Sequence, residues 1–528
     1  MKTGVVQPVR PDRPVRALVA VGRYGLSLAS VSAAGAAMWG ERTAIVDDEG
    51  VLTFEQLDHR ISRIAAALIE TRQVGPGRRL GVMCRNHRGF VEAVLAGAYV
   101  GSDIVPLNTD FAGPQLGEVL VREAIVAVIV DDEFIPALDS AAFQGFRIIA
   151  DRQHDARASS LADLRARGND LPAPPAPSRA GAIIMLTSGT TGTPKGAARG
   201  KLEIRSLIPM ASDALGLATR FDPVPRAGDP ISICPPLYHV LGFGAVFAGL
   251  AAGSTVVLHR RFDPLTVLQS IERRRVGILI AVPTMLKRML EVPAHTRAAY
   301  DVSSLRVAFS AAAPLSASVG SDFMDAFGDI LFDAYGSTEV GAASLAMPAD
   351  LRSAPGTVGR ALPGITIKIL DDDGLEVPAG KSGRVFIGSP LAFTGYTGGG
   401  SKETIDGLMS SGDIGHVDSD GRLFIAGRDD DMIVSGGENV FPQEVESLVA
   451  SLDSVADAAA VGVDDDEFGQ RLALFVVLKD GAQVSAAELR DHVRANLARY
   501  KVPRDVAFVS SIPRTTTGKI KRTGLQLP

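Results

Sequence analysis

From Thr43 onward, short apolar runs alternate with longer segments of helical periodicity. "TAIVDD", "GRRLGVMC", "DIVPLN", "AIVAVIVDD" and "FRIIAD" are runs of strand length, and "LTF" is a shorter one. Between them, "EQLDHRISRIAAALIE" and "GFVEAVLAGAYVG" return apolar residues near i, i+3 and i+4, which predicts helices. Strands alternating with helices imply a parallel sheet, an α/β fold. The proline cluster "LPAPPAPSRAG" (171–181) interrupts this pattern as a surface crossing, and a second α/β half follows through "PISICPPLYHVLGFGAVFAGLAAGSTVVL", "DPLTVLQSIERRRVGILIAVPTMLKRML" and "LRVAFSAAAPLS". Past Pro355 short strands with Gly, Asp and Pro turns predict a β-rich subdomain. After "GRDDD" a small α+β unit is expected: "VFPQEVESLVAS" and "SAAELRDHVRANLARY" as helices, with "ADAAAVGV", "LALFVVL" and "DVAFVS" as strands.

A chain of 528 residues is too long for one simple core, so at least two domains are expected. The net charge of −6 offers no global attraction for nucleic acid, and no nucleic-acid partner is expected. Two cysteines, Cys84 and Cys234, are too few for a disulfide framework; as buried thiols they fit a reducing cytoplasm. In the first 40 residues, Arg23 breaks the apolar run well short of the roughly 20 residues that a bilayer span needs. The region reads as a helical arm packed on the domain, with weak membrane-surface association as the second reading.

The stretch with most chemistry is "LTSGTTGTPKGA", Leu186 to Ala197. After a strand, glycines and hydroxyl side chains can surround phosphate oxygens with N–H and O–H donors, and Lys195 adds a mobile charge. It is not a Walker A loop: counted from Gly189, Pro194 stands at the second glycine position, and Gly196 follows the lysine where a hydroxyl is required. The plain alternative is a solvated polar turn.

"TSGTTGTPKG" resembles the signature of the adenylate-forming superfamily, which includes acyl- and aryl-CoA synthetases, firefly luciferase and nonribosomal-peptide adenylation domains. "PPLYHVLGFG" (235–244), "YGSTE" (335–339), "SGDIG" (411–415), "GRDDDMIVSGGENVFPQEVE" (427–446) and "PRTTTGKIKR" (513–522) follow in that family's order, over about residues 40–524. The resemblance implies a large N-terminal domain, 1–428, of parallel α/β sheets plus a β-rich subdomain, and a small mobile α+β C-terminal domain, 429–528, hinged near Asp430. It implies an AMP-forming acyl-CoA synthetase: a carboxylic acid, fatty or related, attacks the α-phosphorus of ATP, and coenzyme A then takes the acyl group.

By the same resemblance, Thr187, Ser188, Gly189, Thr190, Thr191, Gly192 and Lys195 hold the β- and γ-phosphates. In "YGSTE", Tyr335 stacks on adenine with Gly336 and Ser337 beside the nucleotide, Thr338 contacts the α-phosphate or the substrate carboxylate, and Glu339 binds Mg²⁺. Ala311, Ala312 and Ala313 occupy the place of a glycine-rich adenine-binding strand, where alanine departs from the commoner glycine. Asp413 accepts from the ribose hydroxyls, assisted by Arg428; a carboxylate suits a vicinal diol because each oxygen can accept one bond. His239 lies at the carboxylate end of the substrate, with Tyr238, Gly242 and Gly244 giving room for the acyl chain. Lys519 is the catalytic cation, and Gly436 and Gly437 allow passage of the pantetheine arm.

Two other functions stay open. One is an acyl-AMP ligase or stand-alone adenylation enzyme that loads a carrier protein; with nine residues after Lys519, no fused carrier domain is expected. The other is a non-catalytic nucleotide- or acyl-binding protein, against which the intact Lys195, Glu339, Asp413, Arg428 and Lys519 speak. A homodimer is a further expectation.

Overall fold

The computed structural model describes residues 12–150, 159–186, 195–198, 228–390, 392–393, 395–429, 431–435, 438–465 and 469–527. Two compact units emerge: Met1–Ala281 with Glu291–Phe309 and Leu391–Ser401, and Val282–Leu290 with Ser310–Pro390 and Lys402–Pro528. This division follows packing and does not break at residue 428.

In the first unit the expected alternation appears as two sheets. The strands Thr43–Asp47, Val256–Leu258, Ile231–Ile233 and Ile278–Ala281 run parallel, with Gly50–Thr53 antiparallel beside the first. A second, wholly parallel sheet has the order Asp103–Pro106, Arg79–Met83, Ile125–Val130, Phe146–Ile149. The helix Phe54–Thr71 starts at Thr53, whose hydroxyl accepts from Gln56 N at 3.1 Å while Gln56 returns a bond to Thr53 N at 3.0 Å. That capping box satisfies two donors that the first turn leaves without intrahelical partners. Its Leu57, Ile61, Ile64, Ala65 and Leu68 form one buried stripe.

The helix Arg88–Tyr99 is buried on every side, so its two charged residues need partners within the protein. Arg88 pairs with Asp47, and Glu92 pairs with Arg60. Residues 171–181 carry no helix or strand. Ahead of the sheets lie two helices, Asp12–Tyr24 and Leu28–Trp39. Among the described residues no helix is long and apolar enough to cross a membrane.

The second unit contains the expected β-rich portion. The strands Leu331–Ser337, Gly341–Ala346 and Arg360–Ala361 pair antiparallel. A further antiparallel sheet joins Thr366–Leu370, Gly383–Gly388, Leu408–Val417, Thr404–Ile405 and Leu423–Arg428. Near the C-terminus, Val455–Asp465 and Gly469–Leu478 pair antiparallel, and Asp505–Phe508 adds in parallel. Helices Pro442–Ala450 and Ala486–Asn496 cover that sheet through Val445, Val449, Leu489 and Val493. The second helix is shorter than its expected span to Tyr500, because Leu497 turns into extended backbone.

Candidate active site

In the second unit, hydrogen-bond register sets the geometry. Asp413 on Leu408–Val417 stands directly opposite Arg428 on Leu423–Arg428, and Arg428 Nη1 lies 3.4 Å from Asp413 Oδ1. The Tyr335 hydroxyl donates to the other carboxylate oxygen, and Asp413 N donates to Ser411 Oγ at 3.0 Å. Gly412 adopts φ +78°, and a Cβ there would meet the Arg428 guanidinium at 3.1 Å and Lys402 Nζ at 3.2 Å, so "SGDIG" requires its first glycine. Asp413 is 8% exposed. Burial pushes its pKa up, opposed by Arg428 and by the Tyr335 and Ser411 hydrogen bonds. Burial and the neighbouring carboxylate push Tyr335 well above its ordinary value, so the phenol stays a proton donor.

Gly336 follows Tyr335 at a bulge, and a Cβ there would fall 2.0 Å from Gly341 O, so only glycine lets the two strands close. Beyond it the Ser337 hydroxyl accepts from Glu339 N at 3.2 Å and Val340 N at 3.4 Å, shaping the turn that presents Thr338 and Glu339. Ala312 lies just past the strand Val307–Ala311 with φ +76°, left-handed backbone that favours glycine. The departure from glycine at this position therefore carries backbone strain.

Lys519 sits on a closed turn. Thr515 N donates to Lys519 O at 2.8 Å, Gly518 N to Thr515 O at 2.8 Å, and Lys519 N to Thr515 Oγ1 at 3.0 Å. Arg514 clamps the turn by donating to Gly518 O at 2.7 Å while pairing with Asp457 at 2.8 Å. Gly518, at φ +84°, packs so closely on Thr284 that a Cβ would meet its Oγ1 at 2.7 Å. Much of the Lys519 surface is open to solvent, yet its ammonium group is densely surrounded. That crowding, then the Arg428 charge, lowers its pKa, against the pull of Asp413, Glu339 and Asp431.

In the first unit, His239 is the N-cap of the helix Val240–Ala251, its Nδ1 3.5 Å from Leu241 N. The "PPLYH" turn before it is pinned by Asn86, whose Oδ1 accepts from Leu237 N at 3.0 Å and whose Nδ2 donates to Pro235 O at 2.9 Å. Tyr238 is buried. The room expected beside Gly242 is filled: a Cβ there would meet Pro236 O at 2.4 Å and Pro235 O at 2.8 Å, so this glycine serves close packing of the helix start. Gly244 does face open space.

Lys195 precedes the strand Gly196–Ala198, which pairs with Ile184–Leu186 as a hairpin; Thr187, Ser188, Gly189, Thr190, Thr191 and Gly192 lie outside the described residues, as do Asp430, Gly436 and Gly437. Neighbours that sequence reasoning missed are Tyr396, whose ring lies 5.5 Å from Lys195 Nζ, and Glu123 and Thr284. No local pattern signals them, because each meets its partner from a distant part of the chain.

Cys84, His87 and Asp131 gather in the first unit, but their polar atoms are already used. His87 Nδ1 accepts from Gly89 N at 3.1 Å and Nε2 contacts Asp131 at 2.8 Å, while Asp131 also accepts from Arg85 N at 2.9 Å. Both cysteines are buried and neither is in a disulfide, as expected; the Cys84 thiol donates to Ile129 O at 3.7 Å, and burial pushes Cys234 up to about 12.

The family of AMP-binding enzymes matches residues 33–397, and its C-terminal domain matches 444–519. The chain belongs to the AMP-binding enzyme family. It is 31% identical to the indoleacetate–CoA ligase of Aromatoleum aromaticum over 490 residues, 91% of this chain and 94% of that protein. A feruloyl-CoA synthase from Amycolatopsis sp. is also 31% identical, covering 90% and 94% of the two chains. Among solved structures, o-succinylbenzoate CoA synthetase from Bacillus subtilis, in complex with its acyl-adenylate intermediate, superposes with a TM-score of 0.80 at 27% identity, covering 94% of this chain and 98% of that one. This AMP-binding enzyme is an AMP-forming acid–CoA ligase that uses ATP, Mg²⁺ and CoA.

Proposed function

We propose that the AMP-binding enzyme activates an apolar carboxylic acid, aryl or alkyl, with each motif residue in the role its chemistry suits. The observation that carries this reading is the gathering, within one unit, of Tyr335, Asp413 and Arg428 with Lys519, whose charge feels both Asp413 and Glu339. Tyr335 offers a ring to adenine and holds Asp413, and Asp413 is the ribose acceptor. A substrate carboxylate oxygen bonds to the α-phosphorus as the bond to pyrophosphate breaks. Lys519 then stabilises the charge that builds on the phosphoryl oxygens. Glu339 offers the hard oxygen donor that Mg²⁺ prefers, beside the Ser337 and Thr338 hydroxyls, and the ion supplies neutralisation of the triphosphate charge when bound. Lys195 and the preceding loop grip the β- and γ-phosphates.

In the second half-reaction the CoA sulfur bonds to the acyl carbon and AMP leaves. We assign Asp430 as the hinge for a mobile segment 429–528, which would exchange Lys519 for Gly436 and Gly437 along the pantetheine path. Support for an apolar acid comes from the apolar helix after His239, where Gly244 faces open space. Carboxylate-dependent ATP–pyrophosphate exchange over a panel of aryl and alkyl acids tests the reading. Product analysis with CoA against a phosphopantetheinyl carrier protein then separates the acceptors. No exchange with any acid would leave only a nucleotide-binding protein.

We propose a cytoplasmic location, with the N-terminal helix an arm on the domain that associates weakly with an anionic lipid surface. On Asp12–Tyr24, Val15, Leu18 and Val19 are 60%, 70% and 66% exposed. They are neighbours on the helix, and the arginines along one edge are already engaged, Arg16 with Asp12 at 3.4 Å and Arg23 with Pro174 O at 3.0 Å, so the exposed apolar side chains carry the lipid contact. Co-sedimentation with phosphatidylglycerol vesicles should fall in a Leu18→Glu/Val19→Glu variant; retained binding, or equal binding to phosphatidylcholine, would refute it.

A further inference from the structure

The segment 392–400 lies late in the chain, yet it packs with the first unit, against the strand that leaves the glycine-rich loop. Tyr396 forms an antiparallel bridge with Ala197, and Thr397 N donates to Gly196 O at 2.8 Å. The segment thus docks on the hairpin Ile184–Leu186/Gly196–Ala198 through one isolated β-bridge. Its own turn is closed by Tyr396 N donating to Gly400 O at 3.1 Å and Gly399 N to Tyr396 O at 3.0 Å.

A buried carboxylate ties this segment to the first unit. Thr397 Oγ1 donates to Glu123 Oε1 at 2.9 Å, and the fully buried Glu123 side chain pairs with Arg79 at 2.9 Å and Arg122 at 3.2 Å. Two guanidinium groups and a hydroxyl compensate a charge that would otherwise be expensive to bury. Gly196 is the residue that makes room: a Cβ there would meet Ile184 and Thr397 at 2.7 Å and Glu123 at 3.0 Å. Gly196, one of the two departures from Walker A, is therefore where the segment docks.

This anchorage fixes an aromatic face beside the loop lysine. The Lys195 ammonium lies 5.5 Å from the Tyr396 ring centroid, within cation–π range, and Phe393 packs edge-on against that ring with centroids 4.8 Å apart. Lys195 is solvent-exposed on a flexible stem, and the ring favours positions of its charge close to the aromatic face. We propose that Tyr396 is a positioning residue for Lys195, holding the ammonium ready for the ATP polyphosphate. The inference rests on Lys195 being a phosphate ligand.

Calorimetric titration with MgATP and ATP–pyrophosphate exchange test it together through a double-mutant cycle. Tyr396→Leu should weaken MgATP binding about two- to fivefold, the worth of an exposed cation–π contact. Its kcat at saturating ATP should stay within about twofold, and Tyr396→Phe, which keeps the ring, should match wild type. In a Lys195→Met background, Tyr396→Leu should have no further effect. If Tyr396→Leu does not fold, Tyr396→Gln carries the same expectation. Unchanged MgATP affinity in Lys195→Met would refute the phosphate role and this inference with it. Weakened affinity in Lys195→Met, but an equal loss from Tyr396→Leu in both backgrounds, would overturn the positioning role alone; so would a Phe variant as weak as the Leu variant.

Discussion

Lys519→Ala offers the sharpest test of the proposed chemistry. The ammonium group stands on a turn closed by three hydrogen bonds and clamped by Arg514, so little reorganisation is needed when charge builds on a substrate. A unit charge about 4 Å away at an effective dielectric near 20 is worth about 4 kcal/mol, which solvent on an open surface reduces. Loss of one preorganised charge-stabilising group typically lowers kcat by about 10²–10³-fold. The exposure of Lys519 places this variant towards the lower end. Single-turnover pyrophosphate release should show that loss, while thioester formation from supplied acyl-adenylate should be nearly spared. Crowding and Arg428 lower the lysine pKa, so its charge is present below that value and lost as pH rises through it. The adenylation rate should therefore fall on the alkaline side below pH 10.5, the ordinary lysine value. Lys519→Arg, slower but permanently charged, should move that fall upwards. Equal loss in both half-reactions, or an alkaline limb that arginine leaves in place, would refute the reasoning.

Three further outcomes are expected. Ala312→Gly relieves a left-handed alanine and should stabilise the fold by about 0.5–1 kcal/mol after the greater entropy of an unfolded glycine; a lower urea midpoint would count against it. Tyr335→Phe removes a donor from the buried Asp413 and should raise the KM for ATP about tenfold, with the KM for the acid unchanged; equal changes in both would argue for general damage. Asp333 is buried with Oδ1 unpartnered among the described residues, and burial pushes its pKa up to about 7 from 3.8. Ser310 opposes that shift from nearby but its hydroxyl makes no hydrogen bond of good geometry, so burial is the cause to weigh. Because the folded carboxyl holds its proton longer, its stabilisation is complete below about pH 4 and is lost as pH rises towards about 7. The melting temperature of Asp333→Asn should gain on wild type across that window; a constant difference would sink the idea.

The legible parts of this protein are those whose physics is local. A strand buried on both faces needs an unbroken apolar run, which is why "GRRLGVMC" and "AIVAVIVDD" could be placed in a parallel sheet before any coordinates. Nucleotide chemistry is also partly local: a turn that presents Glu339 needs Gly336 where two strands nearly touch, so "YGSTE" survives as a readable unit. Asp413 and Arg428 were readable as separate motifs, although their meeting depends on strand register. Contacts made across the chain leave no such trace. Gly242 looked like space for a substrate because a glycine has the same letter whether the missing Cβ makes room for a ligand or for a backbone carbonyl; only the positions of Pro235 and Pro236 decide.

Gly196 makes the same point from the other side. From the sequence it counts only as a missing hydroxyl, a reason to reject one nucleotide loop. Packed against Ile184, Thr397 and Glu123, it is the residue that admits the bridging segment and, with it, the aromatic ring beside Lys195. A Walker-type serine or threonine at this position would place its Cβ where those three side chains already stand. The departure from Walker A and the support of the lysine thus follow from one steric requirement, and Gly196→Ser should disturb the hairpin before it could supply any hydroxyl to a metal.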